Sequence, residues 1–85
     1  MKEKCQKVAV VMGSDSDFPI LKKCITLLKN FDIEYEVMVC SAHRTPDKAA
    51  EFAKSAENKG FGVIIAAAGK AAHLAGVLAA YTSLP

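Results

Sequence analysis

The sequence contains the run Val8-Ala9-Val10-Val11-Met12, five apolar residues without a polar break, followed by Gly13. A strand with one solvated face alternates apolar and polar residues, so an unbroken run indicates a strand that is covered on both faces. Parallel sheets with helices on both sides cover their strands in this way. We therefore predict that Val8–Met12 is a buried strand of a parallel sheet.

Two more strands and three helices are predicted to alternate with this run. Apolar runs predict strands at Glu34–Val39 and Gly62–Ala68. Helical spacing, capping residues and Gly60 as a stop predict helices over about 17–31, 46–59 and 74–81. The first helix is expected to turn one apolar side towards the sheet, formed by Ile20, Leu21, Cys24, Ile25, Leu28 and Phe31.

The order β-α-β-α-β-α predicts an α/β fold, a three-layer sandwich with a doubly wound parallel sheet, because parallel strands need right-handed crossovers. Residues 1–85 make one domain, shorter than the usual 100–150 residues or so, although 52% of them are hydrophobic. A short chain buries a smaller fraction of its surface. We therefore expect either a fragment of a longer domain or a chain that packs against partner subunits.

Composition argues against several classes of function. The net charge is +2 and no basic stripe or run of five like charges occurs, which gives no support for nucleic-acid binding. No apolar segment reaches the roughly 18 residues of a membrane span. The three cysteines Cys5, Cys24 and Cys40 are odd in number and lack CxxC or metal-ligand spacing, so reduced thiols in a cytoplasmic protein are the simplest interpretation.

Three polar or glycine-containing loops follow the three predicted strands, at Gly13–Asp17, Ser41–Thr45 and Gly69–His73. In a parallel sheet these loops leave the carboxyl ends of their strands and gather at one edge. Ligands of open α/β sheets bind at that edge, near a topological switch point. The sequence therefore predicts one binding site made from all three loops.

The first loop offers hydroxyl and N–H groups at a helix N-terminus, where an anion is favoured. Its two aspartates carry negative charge and argue against simple phosphate binding. A ligand with a sugar hydroxyl bonded to Asp17 would fit both the aspartates and the helix N-terminus. A turn in which Ser16 or Asp17 only caps the helix is the alternative. The loop is not a GxGxxG fingerprint, so a dinucleotide cofactor is not indicated.

The second loop places a histidine beside an arginine. His43 is suited to donate or accept a proton near neutral pH, and Arg44 to bind a phosphate or carboxylate through two hydrogen bonds. Thr45 is predicted to cap the next helix, with Pro46 as its first residue. A surface loop whose His43 and Arg44 only face water is the alternative.

The third loop offers the backbone N–H groups around Gly69, which could hold a carboxylate or carbon dioxide. His73 is either a second ligand contact or a helix residue facing the core. Neither histidine has a Cys, Asp or Glu at metal-ligand spacing, so no metal is predicted. Ser14 and His43 lack an orienting acid and a GxSxG turn, which makes a hydrolase triad a weak interpretation.

Three segments together carry a family resemblance: Gly13–Asp17, Ser41–Pro46 and Ala68–Leu74. Their order and spacing resemble the class I 5-(carboxyamino)imidazole ribonucleotide mutase family of purine biosynthesis. The resemblance runs from about Val8 to Pro85, and the chain looks like the front half of that family's catalytic domain.

The resemblance implies a flavodoxin-like fold and a homo-octamer with active sites at subunit contacts. The implied reaction moves a carboxylate from the exocyclic nitrogen of an aminoimidazole ribonucleotide to a ring carbon, without metal or organic cofactor. His43 matches the family's catalytic histidine, a general acid and base. The implied substrate contacts are Gly13, Ser14, Asp17, Ser41, Ala42, Arg44, Gly69, Ala72, His73 and Leu74.

Two residues of the third loop region depart from the family pattern. Lys70 stands where the family normally has a second Gly, and Ala75 where it has Pro. A lysine there would either pair with the substrate carboxylate or crowd its pocket. Two alternatives to the mutase stay open: a nucleotide- or phosphate-binding module without chemistry, disabled by Lys70 or by truncation, and an aminoimidazole ribonucleotide carboxylase that uses free carbon dioxide and shares the fold and most residues.

Overall fold

The computed structural model describes residues 7–14, 17–41, 45–68 and 74–85. Strands and helices alternate along the chain, which confirms the predicted order. The elements are β1 (Lys7–Met12), α1 (Phe18–Asn30), β2 (Tyr35–Val39), α2 (Pro46–Ser55), β3 (Phe61–Ala67) and α3 (Leu74–Tyr81).

The described strands form one parallel sheet in the order β2-β1-β3. β1 is the central strand, and Ala9, Val10 and Val11 are fully buried in it. A strand that has neighbours on both edges and helices on both faces has no position for a polar side chain. This arrangement explains the unbroken apolar run and confirms the buried parallel strand that it predicted.

Side chains of β1 alternate between two hydrophobic clusters, one on each face of the sheet. Ala9 and Val11 pack in the cluster that holds α2 and α3. Val10 and Met12 pack with Leu21 of α1 on the opposite face. Helices therefore cover both faces, and the fold is the predicted three-layer, doubly wound α/β sandwich, with the strand order of a flavodoxin-like sheet.

Small side chains bring α2 close to the sheet. Ala49 and Ala53 of α2, and Ala56 directly after it, are at most 1% exposed and face the core. The helix ends at Ser55, earlier than the predicted end near Lys59. The residues after it form a turn, and Gly60 has a φ of 95°, the left-handed conformation that glycine adopts without strain.

The prediction for α1 is wrong in part. Leu21 is its buried residue, whereas Ile20 is 78% and Phe31 72% exposed, although both were expected to face the sheet. The apolar side of the helix is wider than the sheet surface available to it. α1 contacts the sheet through Leu21 and Leu28, and Ile20 and Phe31 lie beyond that contact.

None of the helices in the described part of the chain is long and apolar enough to cross a membrane. Cys24 and Cys40 carry free thiols, and Cys40 is buried at the end of β2. Cys5 lies outside the described residues.

Candidate functional site

The three strands end side by side. Met12, the last residue of β1, lies in register with Val39 of β2 and Ala67 of β3. Two hydrogen bonds continue this alignment: the Cys40 N–H donates to the Met12 carbonyl at 2.8 Å, and the Gly13 N–H donates to the Ala67 carbonyl at 3.0 Å. The three loops therefore start from one edge of the sheet, as the sequence predicted.

The crevice between β1 and β3 is the topological switch point of this sheet. From β1 the chain crosses to β2 on one side, and β3 then lies on the other side of β1. Connections on opposite faces leave a crevice at the carboxyl ends of the two strands, where ligands bind in such folds. Gly13 and Ala68 are the first residues beyond the strands at this point.

Gly13 allows these two loops to approach each other closely. A Cβ atom at Gly13 would lie 3.3 Å from the Cβ of Ala68, closer than nine in ten real contacts of a Cβ atom. Its φ is not in the left-handed region, so the glycine is needed for space rather than for its backbone conformation. The contact joins the loop after β1 to the start of the loop after β3.

Replacing Gly13 by Ala is expected to lower the free energy of unfolding by about 1 kcal/mol, because Ala68 must move to accept the methyl group. Gly76→Ala is a matched control. A Cβ at Gly76 meets no heavy atom within 4 Å, and the residue lies inside α3, where alanine is favoured by about 0.8–1 kcal/mol. Urea denaturation should therefore give shifts of opposite sign. Equal shifts would contradict the close contact at Gly13.

In the first loop, Asp17 occupies the N-cap position of α1, but its side chain makes no capping hydrogen bond. Its Oδ2 instead accepts a hydrogen bond from the Ser14 N–H at 3.2 Å, and its own N–H donates to the Ser14 carbonyl at 3.0 Å. The predicted cap position is therefore confirmed, and the predicted capping bond is not made. The half-buried Asp17 carboxylate lies beside the exposed Ser14, at the carboxyl edge of β1.

In the second loop, the structure describes Ser41 and Thr45, while Ala42, His43 and Arg44 lie outside the described residues. Pro46 is the first residue of α2, as predicted, and Thr45 is at the N-cap. The Thr45 hydroxyl makes no capping bond. It donates to the Ser41 carbonyl at 2.9 Å, and the Thr45 N–H donates to the same oxygen, also at 2.9 Å.

In the third loop, Leu74 is the first residue of α3, and Gly69, Ala72 and His73 lie outside the described residues, as does Lys70. The Leu74 side chain is 2% exposed and packs in the cluster between α2, α3 and the sheet. A ligand contact by Leu74 would therefore use its backbone. Ala75 is an exposed residue of the first turn of α3.

Sequence reasoning missed two features of this edge. The contact between Gly13 and Ala68 depends on a strand order that local patterns do not reveal. The bond from Thr45 to Ser41 was missed because a threonine before a helix is ordinarily interpreted as a cap. Within the described ranges, no group of three or more His, Cys, Asp or Glu residues could hold a metal ion.

The described groups at this edge suit a polar ligand. They are the Ser14 hydroxyl, the Asp17 carboxylate, and the backbone around Gly13 and Ser41. These residues follow the ends of the neighbouring strands β1 and β2. A carboxylate accepts hydrogen bonds from sugar hydroxyls, and the N-terminus of α1 beside it favours an anion. The arrangement can bind a ligand that carries both kinds of group.

A family model described as AIR carboxylase matches residues 7–85 of the chain. Three similar proteins are named N5-carboxyaminoimidazole ribonucleotide mutase. The protein from Pyrococcus abyssi is 54% identical over 79 residues, which cover 93% of this chain and 45% of the relative. The protein from Thermotoga maritima is 53% identical, with 93% and 46% covered, and that from Pyrococcus horikoshii is 51% identical over 85 residues, with 100% and 48% covered.

The chain spans about half the length of the curated relatives it matches. The matched region includes β1 to β3, α1 to α3 and the segments of sequence that follow the three strands. The flavodoxin-like order of the strands agrees with the resemblance found in the sequence. The chain belongs to the AIR carboxylase family.

Proposed function

We propose that this chain acts in purine biosynthesis as an N5-carboxyaminoimidazole ribonucleotide mutase, an isomerase that moves a carboxylate from the exocyclic nitrogen to a ring carbon. The observation that carries the proposal is the register of Met12 with Val39 and Ala67, because the three family segments follow these strand ends in the sequence. Relatives of this name are 54%, 53% and 51% identical to the chain over the aligned residues.

His43 is the acid and base of the proposed reaction. In the first step the bond between the exocyclic nitrogen and the carboxylate carbon breaks, its electrons stay on the nitrogen, and protonated His43 donates a proton there. Carbon dioxide and the aminoimidazole remain in the site. In the second step the ring carbon attacks carbon dioxide, and neutral His43 removes the proton from that carbon. The two steps balance and return His43 to its first state.

The remaining site residues bind the substrate in this proposal. Ser14 and Asp17 bind the ribose, and the position of the Asp17 carboxylate beside the Ser14 N–H supports this role. Arg44, with Ser41 and Ala42, binds the phosphate, since a guanidinium matches phosphate oxygens with two hydrogen bonds. The backbone of Gly69, Ala72, His73 and Leu74 lines the carboxylate pocket.

We include nucleotide binding, a cytoplasmic location and a homo-octamer in this proposal. The assembly is supported by large apolar side chains that the described part of the chain leaves uncovered: Ile20 at 78% and Leu27 at 56% exposure on α1, and Phe31 at 72% directly after it. Exposed apolar side chains of this size, when clustered, mark interaction surfaces. Light scattering after size-exclusion chromatography measures the assembly directly.

The proposal is tested by an ultraviolet assay for the carboxylated aminoimidazole product with two substrates. We expect turnover of N5-carboxyaminoimidazole ribonucleotide, and little product from aminoimidazole ribonucleotide with carbon dioxide. The reverse preference would identify the carboxylase that the family description names. A folded chain that binds both ribonucleotides and turns over neither would be a binding module.

A further inference from the structure

We propose that Thr45 is a positioning residue, whose hydroxyl bonds to Ser41 across the segment of sequence that contains His43 and Arg44; the inference rests on the proposed function. The Ser41 carbonyl accepts two hydrogen bonds from Thr45, one from its Oγ1 and one from its N–H, each 2.9 Å long. These bonds join the two ends of the segment 41–45. Three residues lie between the joined ends, and two of them are His43 and Arg44.

Both ends of this segment are fixed to the rest of the fold. On one side, the Cys40 N–H donates to the Met12 carbonyl at 2.8 Å, and Cys40 is buried. On the other side, the Ala49 N–H donates to the Thr45 carbonyl at 3.2 Å, and Ala49 is fully buried. The bonds between Thr45 and Ser41 therefore connect the end of β2 to the start of α2.

The Thr45 hydroxyl donates a hydrogen bond to Ser41 and does not accept one from the first turn of α2. At an N-cap position a threonine oxygen usually accepts a hydrogen bond from an N–H of the first turn, and at Thr45 this bond is not made. The start of α2 has other sources of stability, since Pro46 is its first residue and Asp47 lies in its first turn. The bond to Ser41 is partly buried, which shields it from competing water.

Removal of the hydroxyl would leave one of the two bonds that hold the loop ends together. The Thr45 N–H would still donate to the Ser41 carbonyl. The hydrogen bond from the Thr45 hydroxyl to the same oxygen would be lost, and Ser41 and Thr45 would be held less firmly relative to each other. Catalysis is sensitive to such changes, because a displacement of about 1 Å in a reacting group can cost on the order of 10²-fold in rate. We therefore expect the loss to affect turnover far more than folding.

The test compares three variants of the full chain. Thr45→Val removes the hydroxyl and keeps the branched shape, and Thr45→Ser restores a hydroxyl. Thr26→Val is the matched control, because the Thr26 hydroxyl also donates to the carbonyl four residues earlier, at 3.0 Å, on the exposed side of α1. The readouts are kcat and KM for N5-carboxyaminoimidazole ribonucleotide, the Kd of aminoimidazole ribonucleotide, and the melting temperature.

We expect Thr45→Val to lower kcat by about 10- to 100-fold and to raise the Kd by about threefold to tenfold. Thr45→Ser is expected to stay within about threefold of the wild type in both, and Thr26→Val to be unchanged. The melting temperatures of the two valine variants should agree within a few degrees. The inference would be overturned if kcat and Kd of Thr45→Val equalled those of Thr26→Val. It would also be overturned if kcat and Kd of Thr45→Ser were changed as much as those of Thr45→Val.

The binding readout separates this inference from the proposed function. A wild-type chain without turnover would refute the mutase, yet a weaker Kd in Thr45→Val that Thr45→Ser restores would still support the positioning role. Turnover in the wild type that Thr45→Val leaves intact would refute the positioning role alone. A folded wild type that neither binds aminoimidazole ribonucleotide nor turns over substrate would overturn both.

Discussion

The variant His43→Asn is expected to lose turnover of N5-carboxyaminoimidazole ribonucleotide by about 10³-fold, while its affinity for aminoimidazole ribonucleotide stays within about threefold of the wild type. General acid–base catalysis by a positioned side chain contributes about 10²- to 10⁴-fold. The proposed reaction uses His43 twice, as the acid at the exocyclic nitrogen and as the base at the ring carbon. Asparagine is polar and close in size, but it cannot exchange a proton near neutral pH.

Arg44→Met provides the contrasting variant, because Arg44 follows His43 in the same loop. A hydrogen bond to a charged group is worth about 1.5–3 kcal/mol, so loss of the guanidinium should raise KM by about 10- to 100-fold. The effect on kcat should be smaller. Steady-state kinetics and calorimetric binding of aminoimidazole ribonucleotide separate the loss of turnover expected for His43→Asn from the loss of affinity expected for Arg44→Met.

If His43→Asn keeps both turnover and affinity, His43 is not the acid and base, and the mutase mechanism is wrong.

The fold could be predicted from the sequence because its central strand is buried on both faces. An unbroken apolar run such as Val8–Met12 is typical of a strand between two layers of helices, and the alternation of strands and helices then limits the topology. Burial on α1 was predicted less well. Periodicity shows which residues share the apolar side of a helix, but Ile20 and Phe31 are exposed because the described sheet covers only the part of that side around Leu21.

The alignment of the strand ends could also be predicted from the sequence, whereas the hydrogen bonds beside them could not. Parallel strands that follow one another in this way end at one edge of the sheet, and the register of Met12 with Val39 and Ala67 confirms that these three strands do so. Which hydrogen bond a hydroxyl group makes depends on small differences in atomic position that sequence patterns do not determine. Thr45 can accept a bond as a cap or donate one to Ser41, and both fit the same residue at the same place in the sequence.

Truncation of Phe61 to Ala is expected to have the largest effect on stability, a loss of about 3–5 kcal/mol in the free energy of unfolding. Phe61 is 2% exposed, and its ring contacts Phe52 of α2 edge-to-face at 5.6 Å between centroids. The Lys7 ammonium lies 4.7 Å from the ring centroid and 2.6 Å from the Glu36 carboxylate. The ring therefore holds α2 against the sheet, and a cavity there would weaken several contacts at once.

Such a loss is large for this chain. At about 0.05–0.15 kcal/mol per residue, a chain of 85 residues is stable by about 4–13 kcal/mol. Phe61→Ala could therefore leave a measurable unfolded fraction in the absence of denaturant. Val63→Ala, on the same strand but 38% exposed, is the matched control and should cost less than about 1.5 kcal/mol. Equal shifts of the two variants in urea denaturation would show that the Phe61 ring is not a centre of the core.

The same variant also separates stability from catalysis. Phe61 begins β3, and Ala67, at the carboxyl edge, lies six residues further along, or about 20 Å at 3.3 Å per residue. The loss of the ring should therefore reduce the folded fraction without changing kcat per folded molecule. Thr45→Val should do the reverse, since it removes one hydrogen bond beside the loop that carries His43 and leaves the core intact. A fall in kcat of folded Phe61→Ala comparable with that of Thr45→Val would mean that the packing of α2, rather than the Thr45 hydroxyl, fixes the position of that loop.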